Sequence, residues 1–312
     1  MILDKEYKMK IAITGSNGFI GKQLKEMLLK MNYEIVTISN NTQSRNEIEN
    51  YTYAEFFSGN IQLDIECILH LASPNYDFCK DDSLKKGITE LTDKIVSSLY
   101  FYKCKKIIYF SSAKVYGEPS FDNNIFFEES SLNPETDYGK EKANAEEVIK
   151  KHAQLSGIDY LIYRMPMVYG PNMKSNIGSL MKIIKKSIPF PYFVIANNYK
   201  KSYLSIENIK RHIAFNIENP DSINQSILNL SDNHNYSLND FIKKYKTTSG
   251  SRSAFIKLPN IIFLIFSKAP VLKNVLTKLY GSFVINNDKI NQNNNIQILN
   301  LEEGLSSFIN NE

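Results

Sequence analysis

The chain has 312 residues, of which 43% are hydrophobic and 22% are charged, and its formal net charge is +4. A hydrophobic share of this size provides a large core, which excludes a chain that is disordered along most of its length. The small, dispersed charge excludes a dedicated nucleic-acid binder, and no apolar run approaches the ~20 residues of a membrane span.

Three cysteines, Cys67, Cys79 and Cys104, are an odd number without the spacing of a metal site. The opening residues, MILDKEYKMK, lack the apolar segment of a signal peptide, and residues 1–8 read as a loose extension ahead of Met9. We therefore expect a cytoplasmic protein that has neither a disulfide framework nor a bound metal.

The first predicted element is a strand that turns through glycines into a helix. Apolar Ile11–Ile13 precede the run TGSNGFIG at Thr14–Gly21, and an amphipathic stretch follows. This order is the context of a dinucleotide-binding turn, in which glycines allow the backbone to approach a pyrophosphate closely. Free N–H groups at the helix start favour a phosphate as well. The alternative is a purely structural turn between a strand and a helix.

Short apolar runs and helical patterns then alternate along the chain. The predicted strands are Lys10–Thr14, Glu34–Ile38, a faint one near Ile48–Tyr53, Glu66–Leu71, Lys106–Ser111 and Asp159–Arg164, and the predicted helices are Lys22–Met31, Leu84–Lys103 and Tyr138–Leu155. Repeated βαβ units of this kind predict an α/β fold with a Rossmann-type, doubly wound parallel sheet.

After residue 170 the alternation ends and proline and asparagine become frequent. We expect a dinucleotide-binding domain at 1–170 and a smaller C-terminal substrate-binding lobe at 171–312. Part of 202–232 is expected to return to the main sheet through a strand at Ile227–Leu230. The asparagine-rich run 286–295 predicts a surface turn, and Leu258–Leu272 predicts a core or dimer-facing helix pair rather than a membrane patch.

Polar side chains with catalytic potential follow the strand at 106–111. Ser112 lies where ligands bind in open α/β sheets, beyond the carboxyl end of a strand. Tyr138 and Lys142 are one helical turn apart and share a helix face. An ammonium beside a phenol favours the phenolate, so we expect the pKa of Tyr138 to be lowered toward neutrality. His70 is interpreted as a buried, hydrogen-bonded histidine rather than a base.

Together these motifs resemble the extended short-chain dehydrogenase/reductase family, in its nucleotide-sugar epimerase/dehydratase branch. Further matching stretches are HLAS at 70–73, VYGEP at 115–119, the pair Ala145-Glu146 and RMPMVYGP at 164–171. The resemblance covers nearly the whole chain, and it favours a cofactor-binding turn over a purely structural one.

The resemblance implies a role for each matching residue. Tyr138 is the implied acid/base, Lys142 tunes it and binds the nicotinamide ribose, and Ser112 polarises the reacting oxygen. The implied cofactor contacts are Gly15, Asn17, Gly18, Phe19, Ile20, Gly21, Ser39, Ala72, Ser111, Tyr138, Lys142 and Pro166. The implied UDP-sugar contacts are Ser112, Lys114, Asn176 and Lys201, with Lys201 in place of the arginine that many relatives use for phosphate.

The end of the second strand departs from the family pattern. NAD-using relatives have an acidic residue there for the ribose 2′-hydroxyl, whereas this chain has Ser39 followed by two asparagines. No carboxylate repels a 2′-phosphate, and Arg45 is near enough in sequence to reach one. The cofactor is therefore NAD or NADP, and this substitution favours NADP. Thr89 replaces a typical asparagine, and Glu141 replaces a typical serine beside Tyr138.

The resemblance leaves several reactions open. Dehydratases carry an Asp-Glu pair after the catalytic hydroxyl residue, whereas Ala113 and Lys114 follow Ser112 here, which disfavours dehydration. Stretches of the second lobe, among them IPFP at 188–191 and LYGS at 279–282, look like bacterial reductases of UDP-2-acetamido-2,6-dideoxy-hexos-4-uloses. We expect such a 4-keto reductase, acting in surface polysaccharide synthesis, with a UDP-glucose or UDP-N-acetylglucosamine 4-epimerase as the alternative.

A third possibility is a non-catalytic NAD(P)-binding sensor or scaffold. That class predicts a broken Ser-Tyr-Lys set, whereas all three residues are present here. Relatives are commonly dimers that pack through the helix bearing the Tyr–Lys pair, so we expect a homodimer without nucleic-acid partners or membrane insertion.

Overall fold

A computed structural model of the chain describes residues 9–41, 48–74, 82–173, 175–222, 224–293 and 296–309. Arg45 and Cys79 lie outside the described residues. The strands are β1 (Lys10–Thr14), β2 (Glu34–Ser39), β3 (Glu49–Thr52), β4 (Cys67–His70), β5 (Lys106–Ser112), β6 (Ile125–Phe126), β7 (Asp159–Met165), β8 (Met167–Tyr169), β9 (Phe190–Phe193), β10 (Tyr203–Ser205), β11 (Ser226–Asn229), β12 (Phe255–Leu258) and β13 (Val284–Ile285).

The helices alternate with these strands through the first half of the chain. They are α1 (Phe19–Lys30), α2 (Tyr53–Ser58), α3 (Asp82–Lys85), α4 (Leu91–Ser98), α5 (Asp137–Ser156), α6 (Asn176–Lys185), α7 (Ile206–Glu218), α8 (Leu238–Thr248), α9 (Asn260–Phe266), α10 (Pro270–Tyr280), α11 (Asp288–Asn293) and α12 (Leu301–Ile309).

A seven-stranded sheet in the order β11-β7-β5-β4-β1-β2-β3 forms the centre of the fold. The pairs β1–β2, β1–β4, β2–β3 and β4–β5 are parallel. Ile11, Ala12 and Ile13 are completely buried, as expected for a parallel strand that is covered on both faces. The strand order reverses between β1 and β4, where doubly wound sheets bind their ligands. The predicted α/β, Rossmann-type fold is confirmed.

The chain forms two compact units that are built from alternating segments. Unit 1 comprises 1–115, 132–164 and 212–228, and unit 2 comprises 116–131, 165–211 and 229–312. These units differ from the consecutive blocks 1–170 and 171–312 that the sequence suggested. The strand expected at Ile227–Leu230 is β11, which joins the edge of the sheet beside β7.

The helix predicted at Leu84–Lys103 is interrupted in the structure. A π-helical turn at Lys86–Glu90 joins α3 to α4, and a 3₁₀ turn follows at Leu99–Tyr102. A Cβ on Gly87 would lie 2.2 Å from Pro74, so the backbone of this turn packs directly on the segment after β4. A π-helical turn changes the helical winding locally, and the spacing of apolar residues in the sequence does not reveal it.

Two predictions about the second half of the chain are corrected. The asparagine-rich run contains helix α11 rather than only a surface turn, because the side-chain oxygen of Asn286 accepts the N–H of Asp288 and Ile290 is buried. The expected helix pair within Leu258–Leu272 exists as α9 and the start of α10. Most of its apolar side chains are exposed, so it is not a core pair.

Among the described helices, none alone has the length and apolar composition that crossing a membrane requires. The pair α9–α10, which is bent by 120°, passes that test only when its two helices are counted together.

Candidate active site

The glycine turn after β1 packs backbone against backbone. Gly15 has φ +70°, and a Cβ there would lie 2.8 Å from the backbone nitrogen of Ala72. A Cβ on Gly21 would lie 2.3 Å from the carbonyl oxygen of Gly15. Gly18 is the N-cap of α1, so its missing side chain leaves the first N–H groups of the helix open. The turn therefore offers the backbone donors and close approach that a pyrophosphate requires.

A cleft of about 680 Å³ opens at the carboxyl ends of β1, β2 and β4. Its lining includes five of the residues that were predicted to contact a cofactor, namely Gly15, Asn17, Gly18, Ser39 and Ala72. Phe19, Ile20 and Gly21 form the first turn of α1 beside it. The size of the cleft and its glycine-rich floor fit a dinucleotide.

A smaller pocket lies next to the end of β2. Among its lining residues are Lys25, Ser39 and Asn41, and within the part of the chain that the structure describes none of its lining residues is acidic. The Ser39 hydroxyl donates to the carbonyl oxygen of Asn41 at 2.8 Å. The sequence analysis did not identify Lys25, which lies on α1 and whose place in this pocket depends on the fold.

His70 is a buried link between the ends of β4 and β1 and helix α4 rather than a base. Its ring nitrogens are 2.7 Å from the Thr14 hydroxyl and 2.9 Å from the Thr92 hydroxyl. Desolvation lowers the pKa of His70 to about 3, and the nearby Lys142 contributes in the same direction. The Thr14 hydroxyl also accepts the N–H of Ala72. The predicted role of His70 as a buried, hydrogen-bonded residue is confirmed.

The three predicted catalytic residues lie together in unit 1. Ser112 ends β5, Tyr138 and Lys142 lie on the first turns of α5, and the Ser112 and Tyr138 side chains are hydrogen-bonded. The Lys142 Nζ is 5.9 Å from the centroid of the Tyr138 ring and 4.7 Å from that of Tyr109. It donates to the Phe110 carbonyl oxygen at 2.9 Å.

Burial shifts both ionisable groups of this set toward their neutral forms. Desolvation raises the pKa of Tyr138 to about 12, and the hydrogen bond with Ser112 opposes the rise. Desolvation lowers the pKa of Lys142 to about 7, and the Glu146 carboxylate opposes that change. The expectation of a lowered Tyr138 pKa is therefore wrong for this arrangement, because the burial that brings the groups together penalises both charges.

A buried ion pair supports the catalytic helix from one turn beyond Lys142. The Arg164 guanidinium donates to both Glu146 oxygens, with a shortest distance of 2.7 Å, and both side chains are at most 3% exposed. The Ser111 hydroxyl donates to Glu146 at 2.5 Å. This hydroxyl was predicted to contact the cofactor, but here it is bound to the carboxylate. The sequence analysis named Glu146 and Arg164 only as parts of family motifs and did not predict that they form an ion pair.

Gly139 is a further residue whose role the sequence analysis missed. It follows Tyr138, and a Cβ there would lie 2.6 Å from the Lys114 carbonyl oxygen. The absence of a side chain thus lets the start of α5 rest on the segment after Ser112. A glycine inside the first turn of a helix is unfavourable by propensity, and this mismatch is a signal that could have identified it.

The predicted substrate contacts have different surroundings. The Lys114 backbone N–H donates to the Ser112 hydroxyl at 3.2 Å. In unit 2, Asn176 is exposed at the start of α6, and Pro166 lies between β7 and β8. Lys201 is buried, and its ammonium donates to the carbonyls of Lys278 and Leu279 at the end of α10. Its role with phosphate stays a prediction.

Gly139→Ala is expected to lower the free energy of unfolding by about 1–3 kcal/mol, because a methyl group overlaps a backbone carbonyl. A Gly→Ala substitution inside a helix usually stabilises the protein by about 1 kcal/mol. A destabilised variant would therefore indicate the close contact, and a stabilised one its absence. Urea denaturation measures it, with the exposed Asn144→Ala on the same helix as the control. A Gly139→Ala variant that is more stable than the wild type would contradict the close packing.

Lys142→Met is expected to change stability in a pH-dependent way. The unfolded chain holds the lysine proton up to the ordinary lysine pKa of 10.5, whereas the folded chain releases it near pH 7, so wild-type stability rises between these pH values. The stability of the Lys142→Met variant lacks this rise with pH, because methionine does not titrate. Its stability relative to the wild type should be greatest below pH 7 and should decline by about 4 kcal/mol toward pH 10.5.

Urea denaturation at pH 6 and pH 9.5 tests this expectation. Lys140→Met, on the same helix with a side chain that is 54% exposed, is the matched control and should change stability equally at both pH values. Equal differences for Lys142→Met would show that the buried lysine keeps its proton.

Comparison with known proteins agrees with this geometry. The NAD dependent epimerase/dehydratase family matches residues 11–230. A UDP-glucose 4-epimerase of Vibrio cholerae is 27% identical over 292 residues, which cover 90% of this chain and 88% of that protein. A UDP-glucose 4-epimerase of Thermotoga maritima, solved with UDP-glucose, has a TM-score of 0.76 at 17% identity and covers 97% of this chain and 98% of its own.

A UDP-glucuronic acid 4-epimerase of Bacillus cereus, solved with NAD, has a TM-score of 0.73 at 20% identity, over 97% of this chain and 98% of its own. These two structures share the fold. The family match spans well over half of the sequence and includes the glycine turn, Ser112, Tyr138 and Lys142. The chain belongs to the NAD-dependent epimerase/dehydratase family.

Proposed function

We propose that the protein catalyses NAD(P)-dependent oxidoreduction at C4 of a UDP-sugar. The observation that carries this proposal is the convergence of Ser112, Tyr138 and Lys142 at the end of β5, in the same unit as the glycine-floored cleft. Phenol, hydroxyl and ammonium are the groups that a hydroxyl-to-ketone interconversion needs for its proton.

A bound nicotinamide dinucleotide would supply or accept the hydride. The residues of the chain handle the proton. With a pKa of about 12, the Tyr138 hydroxyl is protonated at neutral pH and is a proton donor to the oxygen of a ketone that is being reduced. The Ser112 hydroxyl, which already bonds Tyr138, would hold that same oxygen and fix the direction of transfer.

Oxidation of a sugar hydroxyl requires the reverse proton transfer, to the Tyr138 phenolate. The phenolate is unfavourable in this desolvated, half-buried setting, and the Lys142 ammonium is the nearby charge that stabilises it. With a pKa of about 7, Lys142 can be charged or neutral near physiological pH. Its protonation state therefore sets how readily the site works in the oxidising direction.

The comparisons support a 4-epimerase as one form of this activity. Both the Vibrio cholerae relative and the Thermotoga maritima structure are UDP-glucose 4-epimerases, and the former is similar along 90% of the chain. A 4-epimerase uses both directions at one site, since it oxidises C4 and then reduces it from the other face. UDP-glucose and UDP-N-acetylglucosamine are the substrates to test.

The end of β2 supports the second form, a reductase of a UDP-2-acetamido-2,6-dideoxyhexos-4-ulose that serves surface polysaccharide synthesis. The pocket beside Ser39 contains Lys25, and its described lining residues include no acid, which favours a 2′-phosphate and hence NADPH. A reductase consumes a reduced cofactor in each turnover and so uses one that exchanges. Cytoplasmic location and a homodimer stay predictions for either form.

Assays of the purified protein separate the two forms. Interconversion of UDP-glucose and UDP-galactose, or of their N-acetyl analogues, without net change in NAD(P)H supports the epimerase. Stoichiometric oxidation of NADPH by the 4-keto UDP-sugar supports the reductase. We expect Tyr138→Phe to lower turnover by about 10²–10⁴-fold in the active assay, because the proton donor is lost.

Tyr100→Phe, which removes a hydroxyl from a ring that is 80% exposed, is the control and should retain full turnover. If neither assay shows activity although the protein binds a dinucleotide, or if Tyr138→Phe is fully active, the catalytic proposal fails. The first of these results would favour the sensor or scaffold interpretation.

The 2′-phosphate preference is tested by Ser39→Asp. A carboxylate at the end of β2 should weaken NADPH binding at least 10-fold through charge repulsion while it leaves NADH binding equal or tighter. Fluorescence titration of both cofactors measures this change. Asn144→Asp adds the same charge on an exposed face of α5 and is the control. Wild-type protein that binds NADH more tightly than NADPH would contradict the preference.

A further inference from the structure

Helices α9 and α10 carry an exposed apolar face in unit 2. The face consists of Ile261, Leu264, Ile265, Phe266, Val271, Leu272 and Val275, whose exposed fractions range from 38% to 77%. Ile261, Leu264 and Ile265 have the i, i+3, i+4 spacing of one helix side, and Val271 and Val275 have that of i, i+4. A group of large exposed apolar side chains of this kind on a folded protein indicates an interaction site.

The opposite side of the helix pair is anchored in the core of unit 2. Phe263 is 1% exposed, and its ring centroid lies 5.3 Å from that of Phe193, 5.6 Å from Phe121 and 5.8 Å from Tyr280. The Lys201 ammonium caps the end of α10. Because these contacts fix the pair, its apolar face is a built surface of the fold and not a frayed segment.

The sequence around this face carries charge of one sign only. No acidic residue occurs from residue 241 to residue 287. The basic residues in this interval are Lys243, Lys244, Lys246, Arg252, Lys257, Lys268, Lys273 and Lys278. Lys268, Lys273 and Lys278 lie on or directly before α10 and are exposed. Lys278 continues the helix line of Val271 and Val275, so cationic and apolar side chains border each other.

We propose that this apolar face docks the protein on an anionic lipid bilayer. The apolar side chains would enter the boundary between headgroups and acyl chains, and the lysines would contact lipid phosphates. The helices lie on the membrane rather than span it, because 7 and 11 residues reach only about 10 and 16 Å at 1.5 Å per residue.

The charge pattern favours a bilayer over a second copy of the chain. In a two-fold symmetric interface the face would meet itself, which would bring Lys268, Lys273 and Lys278 of both copies together without an acidic partner from residues 241–287. Anionic lipid headgroups neutralise the same lysines. This docking surface is independent of the reaction proposed above.

Vesicle flotation of the full chain tests the proposal. Vesicles of phosphatidylcholine containing 30% phosphatidylglycerol should carry the protein, whereas vesicles of phosphatidylcholine alone should carry at least tenfold less, and salt should weaken binding. The double variant Ile265→Ser/Val271→Ser should lose at least tenfold in partitioning, and so should Lys268→Gln/Lys273→Gln/Lys278→Gln. All changes are at exposed positions, and circular dichroism checks that each variant folds.

Leu155→Ser is the matched control, since Leu155 on α5 is 77% exposed, the same fraction as Val271. It should bind vesicles as the wild type does. The proposal is overturned if the wild type does not bind anionic vesicles, or if the double variant binds as well as Leu155→Ser. It is overturned as well if sedimentation velocity shows a dimer that Ile265→Ser/Val271→Ser dissociates, because a second copy would then cover the face.

Discussion

Burial of the Lys142 ammonium is the constraint on which the candidate site depends. The group sits between the rings of Tyr109 and Tyr138 and donates to the Phe110 carbonyl oxygen, while the Glu146 carboxylate one turn away opposes its neutralisation. A cation in such a place is retained only if nearby oxygen atoms and ring faces replace water. The end of β5 and the first turns of α5 are arranged to provide them.

The Glu146–Arg164 pair gives this arrangement a rigid support. The carboxylate binds Arg164 on β7 and Ser111 on β5, so it ties α5 to two neighbouring strands. Removing one partner of a buried pair leaves an uncompensated charge, which destabilises more than the pair stabilises. A substitution of either charged residue is therefore costly. The intact pair holds α5, which carries Tyr138 and Lys142, against β5 and β7.

Sequence reasoning succeeded where local patterns decide the outcome. The strands from β1 to β7 of the main sheet and the glycine turn follow from buried apolar runs and from glycines that only a close backbone contact requires. The family resemblance pointed to Ser112, Tyr138 and Lys142 as a set. In the structure Ser112 and Tyr138 are hydrogen-bonded, and the Lys142 Nζ lies 5.9 Å from the centroid of the Tyr138 ring. The assignment of the other site residues stays a prediction until it is tested by mutation.

The failures arise where distant segments decide the outcome. The π-helical turn at Lys86–Glu90 packs on Pro74, the carboxylate of Glu146 pairs with Arg164, and the pKa of Tyr138 depends on how much water the fold removes. The exposure of the apolar side chains on α9 and α10 was also not predictable from the local sequence. Their periodic apolar pattern fits a buried helix equally well, and only the tertiary structure shows that Phe263 alone of α9 is buried.

The alternation of the two units along the chain has a consequence for biosynthesis. Unit 1 is finished only when residues 212–228 have emerged, because β11 closes the edge of the sheet beside β7. Lys106, buried in β5, finds two of its acceptors at Pro220 and Asn224, more than a hundred residues later. A nascent chain therefore carries an unfinished sheet edge through most of translation, and such edges are where chaperones and premature aggregation compete.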